Sequence, residues 1–269
     1  MSTGSLFDDP DAPAPPAPLA DRMRPRTFDE IVGQSHLIGP DRPLRRALEA
    51  GVLHSMILWG PPGTGKTTLA RVMAAATGAE VHTLSAVTAG TRDVRAIVEL
   101  AESVRRAHGR RTVIFVDEIH RFNKSQQDAF LPHVERGALV LMGATTENPS
   151  FEVNAALLSR ARVYTLHPLS PEDVVRLLER AIGDAERGVG PDRIDADRTA
   201  LRALAIHANG DARVALNLLE QIAAVLAAEA GAGPRRLTIA SLTGLVERRA
   251  LRYDKSGEEH YNQISALHK

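Results

Sequence analysis

The stretch GPPGTGKTT, Gly60 to Thr68, carries the most specific chemistry in this chain of 269 residues. It matches G-x-x-x-x-G-K-[ST], a spacing in which backbone N–H groups enclose a chain of phosphates. Gly63 and Gly65 let the amides turn inward, and the start of a following helix adds its positive dipole end. Lys66 is placed to reach the β- and γ-phosphates and the Thr67 hydroxyl to bind Mg²⁺, while Gly60, Pro61, Pro62, Thr64 and Thr68 complete the loop. A second stretch, VIFVDEIHRF, supplies acids. Val113 to Val116 form an apolar run that brings Asp117 and Glu118 to its end. Asp117 can hold Mg²⁺ through its water shell, and Glu118 can polarise the water that attacks the γ-phosphate. A glutamate beside the Mg²⁺ ligand points to hydrolysis of ATP rather than phosphoryl transfer to a small molecule. His120 reads as a surface or packing histidine.

Further signals follow along the chain. GATTENP contains Thr145 and Thr146, either of which could orient the attacking water or simply end a strand. In LLSRARVY, Arg160 follows a short helix expected over about 150–159 and lies too far along to reach its own phosphates easily. It could instead reach a neighbouring subunit's γ-phosphate; Arg162 competes for that role, and a solvated arginine is the plain alternative. NGDARVALNLLE opens a helix with Asp211 near its N-cap and Arg213 in its first turn, where it could contact nucleotide from above or form an ordinary helix-start ion pair.

These residues need a scaffold that puts loops at one edge. SMILWG (55–60), VHTLS (81–85), TVIFVDE (112–118), LVLMGATT (139–146) and RVYTL (162–166) read as strands that are apolar on both faces, as in a parallel sheet. Helical patterns lie between them, including one with Val94, Ile97, Val98, Ala101 and Val104 on a single face. The expectation is an α/β domain over 21–168, a five-stranded parallel P-loop sheet with flanking helices, then an all-helical lid over 169–250. Ser170-Pro171 followed by Glu172 and Asp173 marks the lid's first helix.

Composition narrows the classes. The chain is 43% hydrophobic with 33 basic and 33 acidic residues, so it can bury a core, and any basic surface must be local. The absence of cysteine excludes thiolate metal sites, catalytic thiols and disulfides, and fits a reducing cytoplasm. No run of about 18 apolar residues is present to span a membrane. Residues 1–20 read as a disordered Pro- and Ala-rich leader without signal-peptide character, and its SLF segment reads as part of a solvated tail.

Several stretches together are similar to the AAA+ ATPases, and within them to the replication-associated recombination protein A (RarA or MgsA) family and its eukaryotic relatives, the Werner-helicase-interacting ATPases. They are RMRPRTFDEIVGQSHLIGP (22–40), ILWGPPGTGKTTLA (57–70), VDEIHRFNKSQQDAFLPHVERG (116–137), LMGATTENPSFEVNAALLSRARVY (141–164), GDARVALNLLE (210–220) and RYDKSGEEHYNQISALHK (252–269). Clamp-loader subunits and the junction motor RuvB share the general pieces, but not the combination of ENPSFEVN with YDKSGEEHYNQISA. The resemblance implies that Ile31, Val32 and Gly33 wrap the adenine, that Thr146 is the first sensor, Arg160 the finger offered to a neighbour and Arg213 the second sensor. It further implies DNA-stimulated ATP hydrolysis at stalled or single-strand-containing forks, on the nucleoid, with single-strand-binding and replisome proteins as partners. Residues 251–269 then open a helical domain through which such proteins assemble as tetramers. The other readings are a clamp-loader-like or junction-motor-like subunit, or a nucleotide-binding fragment with little turnover alone. Two arginine groups, 105/106/110/111 and 248/249/252, are candidates for phosphate contact with DNA, or are solvated helix ends. His260 and His268 lack a third ligand at metal-binding spacing.

Overall fold

The computed structural model describes residues 17–240 and 242, apart from 88, 110, 191, 192 and 230–234. The chain enters through α1 (Leu19–Arg22), a 3₁₀ turn at Phe28–Glu30, α2 (Ser35–Ile38) and α3 (Pro43–Glu49). The α/β layer follows as β1 (Met56–Trp59), α4 (Lys66–Ala76), β2 (Glu80–Ser85), α5 (Thr91–His108), β3 (Thr112–Asp117) and a 3₁₀ turn at Ile119–Arg121. It continues through α6 (Lys124–Asp128), α7 (Leu131–Glu135), β4 (Val140–Thr145), α8 (Pro149–Glu152), α9 (Ala155–Leu158) and β5 (Arg162–Thr165). The lid comprises α10 (Pro171–Gly183), β6 (Ile194–Ala196), α11 (Arg198–Ala208), α12 (Ala212–Glu229) and β7 (Arg235–Leu237).

The five strands of the main sheet are parallel in the order β2-β3-β4-β1-β5. Alternation along β3 shows why this sequence needs helices on both sides. Val113 and Phe115 enter one core with Met56, Leu58 and Met142, whereas Ile114 and Val116 enter the other with Ile57 and Leu141. The inner strands are buried on both faces as expected. The outer strands are not: β2 and β5 are mostly half-buried or exposed, because an edge strand has a neighbour on one side only.

The lid begins where the sequence places it. The Ser170 hydroxyl accepts from the Asp173 amide and the Asp173 carboxylate accepts from the Ser170 amide, a reciprocal cap with Pro171 in the first turn. Val174, Val175, Leu177, Leu178 and Ala181 then bury one face of α10 against α11 and α12.

Two boundaries differ from the sequence reading. The lid is not purely helical, since β6 and β7 pair in parallel, Ile194 to Arg235 and Ala196 to Leu237. Three-residue strands separated by two helices leave no period-two signal to read. Within the segment read as a leader to residue 20, Leu19 and Ala20 already belong to α1. Leu19 is fully buried, and with Met23 it joins the lid core rather than the α/β layer. The Leu19 amide donates to Glu220 Oε1 at 2.9 Å, and Arg22 donates to the Gly188 carbonyl at 2.9 Å and to Glu220 at 3.3 Å. The polar, Pro-rich composition before Leu19 hid this one-turn anchor. Leu19→Ala is expected to destabilise the lid by about 2–4 kcal/mol, read as a lowered urea midpoint, because α12 loses a filled socket.

Candidate nucleotide site

The loop after β1 folds as its glycines demand. Gly63 (φ +68°) and Gly65 (φ +93°) adopt left-handed backbone, and Gly65 leads directly into α4 at Lys66. Lys66 is buried, and its ammonium donates to the carbonyls of Gly60 at 2.7 Å and Pro61 at 2.9 Å. Burial pushes the Lys66 pKa below the usual lysine range, and the nearby charges of Glu118 and Asp117 oppose that shift. Thr64 donates to the Pro61 carbonyl at 2.9 Å, which closes the loop on itself.

Because β4 lies between β1 and β3, three strand ends meet beside this loop. Trp59 is level with Thr145, and the Gly60 amide donates to the Thr145 carbonyl at 3.2 Å. Asp117 ends β3, and Glu118 turns out of the strand in left-handed backbone at φ +54°. One cleft is lined by Pro62 to Thr68, Asp117, Glu118 and Thr146. Thr145 faces elsewhere: it is fully buried, and its Oγ1 accepts from the Glu147 amide at 3.0 Å and lies 2.9 Å from His120 Nδ1. Of the two threonines, the structure therefore places Thr146 in the cleft. Thr67 and Asp117 fit Mg²⁺, since a hydroxyl and a carboxylate are hard oxygen donors that leave room for water and phosphate.

The other end of the cleft is apolar. Met23, Ile31, Val32, Leu169, Leu177 and Leu216 line it, a surface suited to a flat base. Arg213 lines it from the first turn of the lid helix α12, whose N-terminus sits on the phosphate loop. The Ala212 amide donates to the Gly63 carbonyl at 3.2 Å, and the Asp211 carboxylate caps α12 through the amides of Arg213 and Val214. A Cβ at Gly63 would overlap that carboxylate, so glycine is required for close approach as well as for backbone angle.

Sequence reasoning missed several of these residues. Gln34 is buried in left-handed backbone; its Nε2 donates to the His167 carbonyl at 2.7 Å and its Oε1 accepts from the His167 amide at 3.1 Å. It thereby ties the entry segment to the hinge between sheet and lid. Arg24 and Arg180 also line the cleft, with Arg24 donating to the Thr68 hydroxyl at 3.2 Å and Arg180 to the Glu30 carbonyl at 2.6 Å. Arg180 Nε and Nη2 are buried without a hydrogen-bond partner. Arg24 and Gln34 fall within RMRPRTFDEIVGQSHLIGP with no role read for either, and nothing local marks Arg180.

Some predicted residues are not brought here. Arg160 pairs with Glu135 at 2.6 Å and donates to the Ala156 carbonyl at 2.8 Å, and it is not among the cleft residues. The single helix expected before it is split into α8 and α9, capped separately by Asn148 and Asn154. Arg162 is exposed on edge strand β5. In the first arginine group, Arg105 donates to the Gly137 carbonyl at 2.9 Å and Arg111 to the Leu53 carbonyl at 3.3 Å, so both also tether loops. Arg110, the second group (Arg248, Arg249 and Arg252), the SLF segment, His260, His268 and the rest of 251–269 lie outside the described residues.

The sequence matches two family models: the ATPase family associated with various cellular activities (AAA) over 56–169, and the AAA C-terminal domain over 190–269. It is 54% identical over 252 residues to replication-associated recombination protein A of Escherichia coli K12, covering 94% of this chain and 56% of that protein. Over 94% of its length the chain is thus similar to replication-associated recombination protein A, and residues 56–169 match the AAA ATPase model. The Bacillus subtilis protein of that name is 37% identical over 94% of this chain and 58% of its own, and ATPase WRNIP1 of Dictyostelium discoideum is 39% identical over 94% and 30%. The chain thus spans 56% of the length of the curated Escherichia coli relative it matches. Among solved structures, the Thermotoga maritima RuvB Holliday junction branch migration motor superposes with a TM-score of 0.68 at 26% identity, covering 84% of this chain and 73% of that one. The AAA match over 56–169 encloses the phosphate loop, Asp117, Glu118 and Thr146 of the cleft.

Gly63→Ala and Gly51→Ala separate the two roles of a loop glycine. Both positions have positive φ, but a Cβ meets the lid only at Gly63. Gly63→Ala is expected to weaken ATP binding at least about tenfold by calorimetry, and Gly51→Ala to leave it within about twofold.

Proposed function

We propose that this chain binds ATP with Mg²⁺ in the cleft and hydrolyses it, working as an oligomer on DNA during replication, recombination and repair, at stalled or single-stranded forks. The observation that carries the reading is the convergence of Lys66, Thr67, Asp117, Glu118, Thr146 and Arg213 on one cleft beside an apolar base pocket. Mg²⁺, held by Thr67 and Asp117, would neutralise charge on the phosphates. The chain's own residues do the rest. Lys66 exchanges two loop carbonyls for phosphate oxygens, Thr67 and Asp117 hold the cation's protein side, and Thr146 orients the attacking water. Glu118 accepts that water's proton, and Arg213 links the lid to nucleotide state.

Arg160 is the piece a single chain does not deliver to its own cleft. It lies just after α9, between that helix and β5, and its partner Glu135 belongs to the same chain. We assign it to the site of a neighbouring copy, where a guanidinium stabilises charge developing on the γ-phosphate. DNA as the substrate is supported by the names of the relatives and by RuvB, a junction motor, as a structural neighbour. Cytoplasmic action on the nucleoid, together with single-strand-binding and replisome proteins, belongs to the same proposal. A second reading, a chain that binds ATP with little turnover by itself, is favoured by Arg160 being engaged at home.

Steady-state ATPase assays with and without forked or single-stranded DNA, at rising protein concentration, test these readings together. Turnover that rises with DNA supports the first, and binding without turnover at every concentration supports the second. Lys66→Ala is expected to abolish ATP binding, while Glu118→Gln keeps it and slows hydrolysis about 100-fold or more. Near-normal turnover in Glu118→Gln would remove the general base from this account. Arg160→Ala mixed with Lys66→Ala should recover part of the lost activity, since each subunit supplies what the other lacks; no recovery in mixed oligomers would return Arg160 to a purely local role.

A further inference from the structure

His120, which the sequence reading set aside, bridges two strand ends. Its Nδ1 lies 2.9 Å from Thr145 Oγ1 and 3.3 Å from Glu118 Oε2. Both are within reach because β4 pairs directly with β3, and the one-turn 3₁₀ segment Ile119–Arg121 folds back across the ends. Fully buried Ile119 pins that turn. The His120 side chain is 14% exposed and Glu118 is 33% exposed, so the contact is shielded from competing water more than a surface pair.

Donor and acceptor arithmetic assigns the proton. The Glu118 oxygen stands at ion-pair distance from Nδ1 without a hydrogen bond, and because a carboxylate oxygen only accepts, a hydrogen on Nδ1 is the form that faces it favourably. Thr145 Oγ1 accepts from the Glu147 amide at 3.0 Å and donates to the Glu147 carbonyl at 3.3 Å, which leaves its remaining lone pair for the same Nδ1–H. The three groups are consistent in one arrangement: an Nδ1–H donated to Thr145, which its own chain locks, with the Glu118 carboxylate beside the ring at ion-pair distance.

We propose that His120 is a positioning residue for Glu118. It holds the carboxylate at a fixed distance from the buried end of β4, one residue before Thr146, so the base and the water-orienting hydroxyl are set by one framework. Glu118 needs such a guide, because it leaves β3 in left-handed backbone with no side-chain cap. The proposal rests on the reading of Glu118 as general base.

The test uses the full chain with Mg-ATP. His120→Asn keeps an N–H near the position of Nδ1, whereas His120→Ala removes it. His120→Ala is expected to lower kcat at least about tenfold while the ATP Kd stays within about twofold, and His120→Asn to recover most of the loss. In a Glu118→Gln background His120→Ala should add little, since it acts through the carboxylate; an equal further loss there would overturn the proposal, as would kcat near wild type in His120→Ala. A second readout does not depend on turnover, so it separates this proposal from the hydrolysis reading. ¹⁵N chemical shifts of labelled histidine, assigned by the His120→Asn difference, should show the Nδ1–H form at His120 and a change with Thr145→Val. An Nε2–H form would overturn it even if the enzyme turns over ATP.

Discussion

Insertion of β4 between β1 and β3 is the constraint on which the site depends. All three strands are parallel, so their carboxyl ends lie on one edge, and β3 and β4 end in polar side chains, Asp117 and Thr145. Gly60 opens the phosphate loop, Asp117 and Glu118 follow β3, and Thr145 and Thr146 finish β4. The strands can bring these groups together because Ile57, Val113 to Val116 and Met142 fill two cores with little exposed surface. Apolar pairing thus supplies the stability, and polar strand ends supply the chemistry.

The second requirement is that the lid come down on the phosphate loop. Contact between Gly63 and the Asp211–Ala212 helix start puts Arg213 at the cleft, and Gln34 joins the entry segment to the hinge at His167. Residues 19–34 then serve both halves: Leu19 and Met23 belong to the lid core, whereas Ile31 packs on the sheet's core. A nucleotide in the proposed place between Ile31, Val32 and Leu216 would touch both bodies at once. Its occupancy can therefore be transmitted as lid orientation.

Much of the site was legible in the sequence because its residues come in contiguous runs. GPPGTGKTT and VIFVDE each encode a strand end and the loop after it, so local spacing and function coincide. Thr146 and Thr145 could not be separated that way, since adjacent residues on a strand end differ only in which face they take. The strand pairing decides it: Thr145 turns inward to Glu147 and His120, and Thr146 turns to the cleft. The roles of Gln34, Arg24 and Arg180 were hidden for a different reason. The bonds that tie them to Thr68, His167 and Glu30 span 44, 133 and 150 residues, and no short pattern reports a long-range hydrogen bond.

By itself the sequence determined the chemistry on offer, the parallel α/β layer and the helical start of the lid, because apolar runs, glycine spacing and caps act over a few residues. Tertiary structure alone decided which side chains share one cleft, that Leu19 anchors the entry segment in the lid, that β6 pairs with β7, and that His120 meets Glu118 and Thr145. Those outcomes follow from strand order and interdomain packing, which depend on contacts between residues far apart in the chain.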